Sequence, residues 1–225
     1  MGGRVERRDG EAMTWLARNL KLWWLQRRAN AAIFFKRTPQ AVRNYREMLE
    51  IDPRNEMAGL MLGNLLAEAG DRAGAVAELE QVTATNPSHA DAWFNLGYLH
   101  DQADRLADAE RCFRRAVELR PSLDRAWYGL GLVLIRDGRL TEAVDALKQT
   151  IKLQPFSPYG YYQLGLTYHH LGRREDAWRV HKQLEEFEPK FSATLKRDLE
   201  RTVPQAVNRS TEVSSTQEEK AVHST

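Results

Sequence analysis

The chain has 225 residues, 42% of them apolar and 28% charged, with a formal net charge of +2; this suits a folded core and excludes a wholly disordered chain. The near balance of charge is not the footprint of a nucleic-acid binder, and the lone Cys112 excludes an intramolecular disulfide and a cysteine metal cluster. No apolar run reaches the ~18 residues of a spanning helix, and a start carrying Arg4, Glu6, Arg7, Arg8, Asp9 and Glu11 does not read as a secretory signal, so the expected location is the cytoplasm.

Residues 1–12 read as a charged N-terminal extension. The segment after them, "MTWLARNLKLWWLQRRANAAIFFKR", interleaves Trp15, Trp23, Trp24, Phe34 and Phe35 with Arg18, Lys21, Arg27, Arg28, Lys36 and Arg37. Residues 1–37 carry nine Arg and Lys against three Asp and Glu, a surplus of +6 that leaves the rest of the chain acidic. Two readings follow. In the preferred one, Trp23, Trp24 and Phe34 staple a first helical unit onto the next. In the other, a basic, Trp-rich amphipathic helix lies on an anionic membrane surface, touching it through Trp15, Trp23 and Trp24, and the protein is peripheral at the membrane. Nucleic acid is not expected as a partner, because no known module pattern accompanies the aromatics.

The prolines then reveal a repeat. Pro53, Pro87, Pro121, Pro155 and Pro189 are each 34 residues apart. On that frame Leu62, Leu96, Leu130 and Leu164 form a column, each followed by glycine: Gly63, Gly97, Gly131 and Gly165. Four residues before each glycine stands Gly59, Trp93, Trp127 or Tyr161; twelve after it stands Ala75, Ala109, Ala143 or Ala177; four further on stands Leu79, Phe113, Leu147 or His181. Each unit reads as a helical hairpin, with apolar residues at helical spacing in the first helix, as in Trp127, Leu130 and Leu134. That helix is expected to end at Gly70, Asp104, Gly138 or Gly172 in the left-handed conformation. The second helix runs from about Ala73, Ala107, Thr141 or Glu175 and stops before the proline. Ser88 with Asp91, and Ser157 before Pro158, read as helix caps.

The columns W-x2-L-G, then A-x3-F, then P resemble the tetratricopeptide repeat, most fully in Trp93, Leu96, Gly97, Ala109, Phe113, Ala116 and Pro121. The expected units are 54–87, 88–121, 122–155 and 156–189. Residues 13–53 form a degenerate first unit whose first helix covers about 22–35 and whose Leu-Gly pair is replaced by Arg28 and Ala29. Residues 190–203 form a capping helix, and 204–225, with the sequon at Asn208, a disordered polar tail. Gly59, Thr150 and His181 depart from the columns, which predicts looser packing in their units. The resemblance implies an all-α, right-handed superhelical solenoid of antiparallel helix pairs that acts as a protein-interaction scaffold or adaptor. Its first helices line a concave groove for a partner peptide or helix. Carried over by column, the groove residues are Leu60, Asn64, Phe94, Tyr98, Asp101, Arg125, Tyr128, Leu132, Arg136, Tyr159, Tyr162 and His169, with the aromatic rings as apolar anchors and Arg125 and Arg136 as orienting charges. A subfamily that grips C-terminal carboxylates wants lysines and asparagines in these columns; only Asn64 fits. A homo-oligomer is compatible with this reading.

No enzyme chemistry is expected. In "WYGLGLVLIRDG", Gly129 and Gly131 lack the third glycine of a dinucleotide fingerprint, which would fall on Leu134, and the stretch lies within a helix. His169 and His170 are adjacent and point about 100° apart on a helix, so they cannot share a metal. His100 and His181 read as packed histidines, and Cys112 has no histidine at helical spacing to activate it. No catalytic residue, metal site or cofactor is expected.

Overall fold

Among residues 5–201, which the computed structural model describes, with side chains described from Thr14 onward, every regular element is an α-helix. The helices fall into two compact units that divide after Pro155. The first unit holds α1 (Val5–Phe34) with α2 (Thr38–Ile51), α3 (Glu56–Glu68) with α4 (Arg72–Thr85), α5 (Ala90–Gln102) with α6 (Leu106–Leu119), and α7 (Asp124–Arg136) with α8 (Leu140–Leu153). Each helix packs on its partner, and up to α7 the second helix of one pair packs on the first of the next. The second unit holds α9 (Pro158–His170), α10 (Arg174–Glu185) and α11 (Pro189–Glu200), each in contact with the other two. The polar tail expected beyond Pro204 and all of the charged extension's side chains lie outside the described residues.

One backbone device ends the first helix of every pair. Lys36, Gly70, Asp104, Gly138 and Gly172 have φ between +56° and +86°, and they recur every 34 residues. The N–H groups of Asp71, Arg105, Arg139 and Arg173 then donate back to the carbonyls of Leu66, His100, Leu134 and Tyr168, each at 2.9 Å, and Arg37 does the same to Ala32 at 2.7 Å. This is a left-handed helix ending, which satisfies carbonyls that the last turn leaves open. Glycine enters it without a Cβ penalty, whereas Asp104 and Lys36 adopt it at a cost. Lys36 was not expected in this conformation, although the period places it 34 residues before Gly70.

Within a pair, the helices interlock at the glycine column. A Cβ on Gly63 would lie 2.9 Å from Leu79 Cγ, one on Gly131 2.9 Å from Leu147 Cγ, and one on Gly97 3.0 Å from the Phe113 ring. The residue four places after the column alanine is therefore the knob that the missing side chain admits. The indoles of Trp93 and Trp127 donate to the carbonyls of Pro87 and Pro121 at 3.0 and 2.9 Å, tying the turn to the helix it starts. Gly59 lacks that indole but does not leave a gap: Val82 Cγ2 stands 2.6 Å from where its Cβ would be. In the second unit His181 is buried on α10, yet the side chain facing Gly165 is Leu195 of α11, 2.8 Å from the position of a Cβ. The departures at Gly59 and His181 are thus met by a neighbour moving in.

Three expectations are corrected. Trp23, Trp24 and Phe34 do not staple the first unit onto the next: they are 57%, 50% and 81% exposed. The face of α1 turned to α2 is carried by Leu22, Leu25, Ala29 and Ala32 at three- and four-residue spacing, against Ala41, Tyr45 and Met48; the two tryptophans flank Leu25 off that stripe. α1 also begins at Val5, well before residue 22. At α5 the cap is His89, whose Nδ1 accepts from the Ala92 N–H at 3.2 Å, so Ser88 lies one residue too early; Ser157 does precede α9 but makes no side-chain cap bond.

Gly131→Val forces Leu147 off its position, and overpacking of this kind costs ~1–3 kcal/mol. The expected result is a lower urea midpoint followed by circular dichroism, with the native helical spectrum retained in buffer.

Candidate partner-binding face

In the first unit α3, α5 and α7 stand side by side, and the expected groove positions meet across them. Asn95 Nδ2 of α5 donates to Asn64 Oδ1 of α3 at 2.7 Å. The Arg125 guanidinium of α7 lies 4.9 Å over the Phe94 ring of α5, and Phe94 packs at 5.9 Å on Phe113. Arg136 of α7 is paired with both Asp101 of α5 and Asp104 in the following turn. Asp91, at the start of α5, is held by both arms of Arg120 at 3.0 and 2.6 Å, which lowers its pKa below the usual carboxylate value. Leu60, Tyr128 and Leu132 are half-buried on the same helices, while Tyr98 is 52% exposed and Met57 of α3 is exposed too.

The charges on this face are therefore largely engaged with one another. Arg136, expected as an orienting charge, is neutralised by two carboxylates, and Arg125 is stacked on a ring. Three partners were missed: Asn95, Asp104 and Arg120. Asp104 and Arg120 occupy fixed places in the period, the left-handed turn position and the residue before the column proline. Their pairing with a residue 29 to 32 positions away is not written in either segment alone.

Tyr159, Tyr162 and His169 lie on α9 in the second unit, where α11 packs against the first two. Tyr159 and Tyr162 meet Phe191 edge-on at 5.4 and 6.4 Å, and the Tyr162 hydroxyl donates to Asp198 at 2.7 Å. Burial, and then the Asp198 carboxylate, raise the pKa of Tyr162. His169 is half-buried beside His170, with ring centroids 6.1 Å apart. Among the described residues, no group of three or more His, Cys, Asp and Glu side chains could hold a metal ion. Cys112 is buried on α6, and burial pushes its thiol up to about 11, far from the thiolate that nucleophilic chemistry needs. His100 is buried on α5, and burial lowers its pKa.

Residues 60–123 and 100–158 match the sequence profile of the tetratricopeptide repeat. The fold is similar to a crystal structure of MamA protein, at 26% identity over 81% of this chain and 97% of that one, with a TM-score of 0.70. It is also similar to MamA from Desulfovibrio magneticus RS-1, at 20% identity over 80% and 98% of the two chains and a TM-score of 0.66. YrrB, a TPR protein described as having an unusual peptide-binding site, aligns at 22% identity over 75% and 88%, with a TM-score of 0.66. No curated protein is similar at a significant level.

Asp91→Asn is expected to lower stability near pH 7 by ~0.5 kcal/mol, the scale of a partly exposed pair. Because the folded pKa is depressed, that contribution is present above the unfolded value of about 3.9 and is lost as pH falls through the folded pKa. Urea midpoints of the two proteins should therefore converge in acid. Separately, Cys112 should resist iodoacetamide at pH 8 in the native protein and react fully in denaturant, as read by intact mass.

Proposed function

Residues 60–158 of the chain belong to the tetratricopeptide repeat family, and from that premise we propose that the protein is a non-catalytic interaction scaffold that holds an apolar partner segment, extended or helical, against the face of α3, α5 and α7. The observation that carries this reading is the combination found there. Tyr98 stands half exposed between half-buried Leu60, Tyr128 and Leu132, while the neighbouring charges already have partners. A partner covering this face gains apolar contact while Arg136 and Asp91 keep their ion pairs. Aromatic rings on a rigid helix give large contact area at little entropic cost. That YrrB, a protein of the same fold, is described as having a peptide-binding site supports the assignment of the role. The face of α9 is a weaker candidate, because α11 already lies against Tyr159 and Tyr162.

The test is a peptide selected by display on the full-length protein, with affinity measured by titration calorimetry. Tyr98→Ala combined with Leu132→Ala should weaken binding by at least ~tenfold, with unchanged circular dichroism. Lys148→Ala with Lys152→Ala, on exposed positions of α8, should leave the affinity as it was. Equal affinity of the wild type and the Tyr98/Leu132 variant would contradict the assignment.

A further inference from the structure

α1 is apolar on two opposite sides. Leu22, Leu25, Ala29 and Ala32 turn toward α2. Leu16, Leu20, Trp23, Arg27, Ala31 and Phe34 recur at the same three- and four-residue steps, about half a turn round the helix, and all six are exposed. Trp24 flanks this second stripe and is exposed as well. Packing on α2 needs only the first stripe, so the second is unexplained by the fold. From Leu16 to Phe34 it forms a ridge about 27 Å long at 1.5 Å per residue.

The charges around the ridge are of one sign. Residues 14–37 contain six Arg and Lys and no Asp or Glu. Arg18 and Lys21 are answered by Asp52 and Glu47 at 3.3 and 2.9 Å. Arg27, Arg28, Lys36 and Arg37 form no ion pair among the described residues. Instead Arg27 and Arg28 lie 4.9 and 4.4 Å over the Trp23 and Trp24 rings, and Arg37 lies 5.8 Å over Phe35. On the α3, α5 and α7 face, by contrast, Arg136 and Asp91 are answered by opposite charges.

We propose that this outer face of α1 docks on the surface of an anionic lipid bilayer, with the helix lying along the interface. The chemistry matches on both counts. Tryptophan rings favour the headgroup level, and long cationic side chains beside them reach the lipid phosphates while the rings settle below. Four unanswered cations within eleven residues complement anionic headgroups and gain from each of them. Two copies of the chain joined through this face would instead set those cations against one another, with no carboxylate in residues 14–37 to answer them. The attachment is peripheral: among the described residues no helix is long and apolar enough to cross a membrane.

The experiment is co-sedimentation of the full-length protein with vesicles of phosphatidylcholine alone and of phosphatidylcholine mixed with phosphatidylglycerol. The protein should pellet with the mixed vesicles, and partitioning should fall at least ~tenfold for Trp23→Ala/Trp24→Ala/Phe34→Ala and for Arg27→Glu/Arg28→Glu. All five side chains are exposed, so circular dichroism should not change. Independently of any variant, brominated lipid in the mixed vesicles should quench the wild-type tryptophan fluorescence. Failure to pellet, absence of quenching, or equal pelleting of the charge-reversed variant would overturn the proposal. So would a dimer that stays off vesicles and dissociates on the tryptophan substitutions, which would assign the face to a second copy.

Discussion

The closure of the α3–α4, α5–α6 and α7–α8 pairs on a missing side chain is the constraint from which the rest follows. Gly63, Gly97 and Gly131 admit Leu79, Phe113 and Leu147 so closely that a Cβ would have to push its neighbour aside. A glycine in a helix interior gives up roughly 1 kcal/mol against alanine, and the knob it accepts offsets that through close packing. Because the same interlock and the same left-handed turn recur every 34 residues in these three pairs, α3, α5 and α7 arrive side by side with their outward positions in register. That is why Asn64 meets Asn95, Phe94 meets Arg125 and Asp101 meets Arg136, each pair separated by close to one period.

The two exposed faces of the first unit differ in what they have left to offer. On α3, α5 and α7 Arg136 and Asp91 have been drawn into ion pairs and Arg125 is stacked on Phe94, so the residual surface is largely apolar and centred on Tyr98. On α1 the rings are more exposed still and the cations beside them have no carboxylates. The first surface suits an apolar protein segment. The second suits an interface that is itself negatively charged and deformable.

The repeat was legible because its physics is local and periodic. A proline follows each second helix, a glycine column marks the close approach, and a glycine or aspartate column marks the turn; the second helices begin within one residue of the positions read from the sequence. What the sequence concealed depends on a neighbour from elsewhere in the chain. Nothing around His181 announces that Leu195, from the capping helix, will fill the space at Gly165. The aromatics of residues 15–35 suggested a buried staple by composition, but the alanines Ala29 and Ala32 sit on the buried stripe and the indoles do not. For the proposed partner-binding columns, their side-by-side placement on α3, α5 and α7 was inferable from the period. Their mutual neutralisation was not, because Arg136 and Asp101 belong to different helix pairs.

The most direct test of the scaffold account is hydrogen–deuterium exchange of the full-length protein with and without a bound, display-selected peptide. The account predicts added protection concentrated in α3, α5 and α7, around Tyr98 and Leu132, with α4, α6 and α8 changing little. Protection centred on those second helices, with the first helices unchanged, would contradict it.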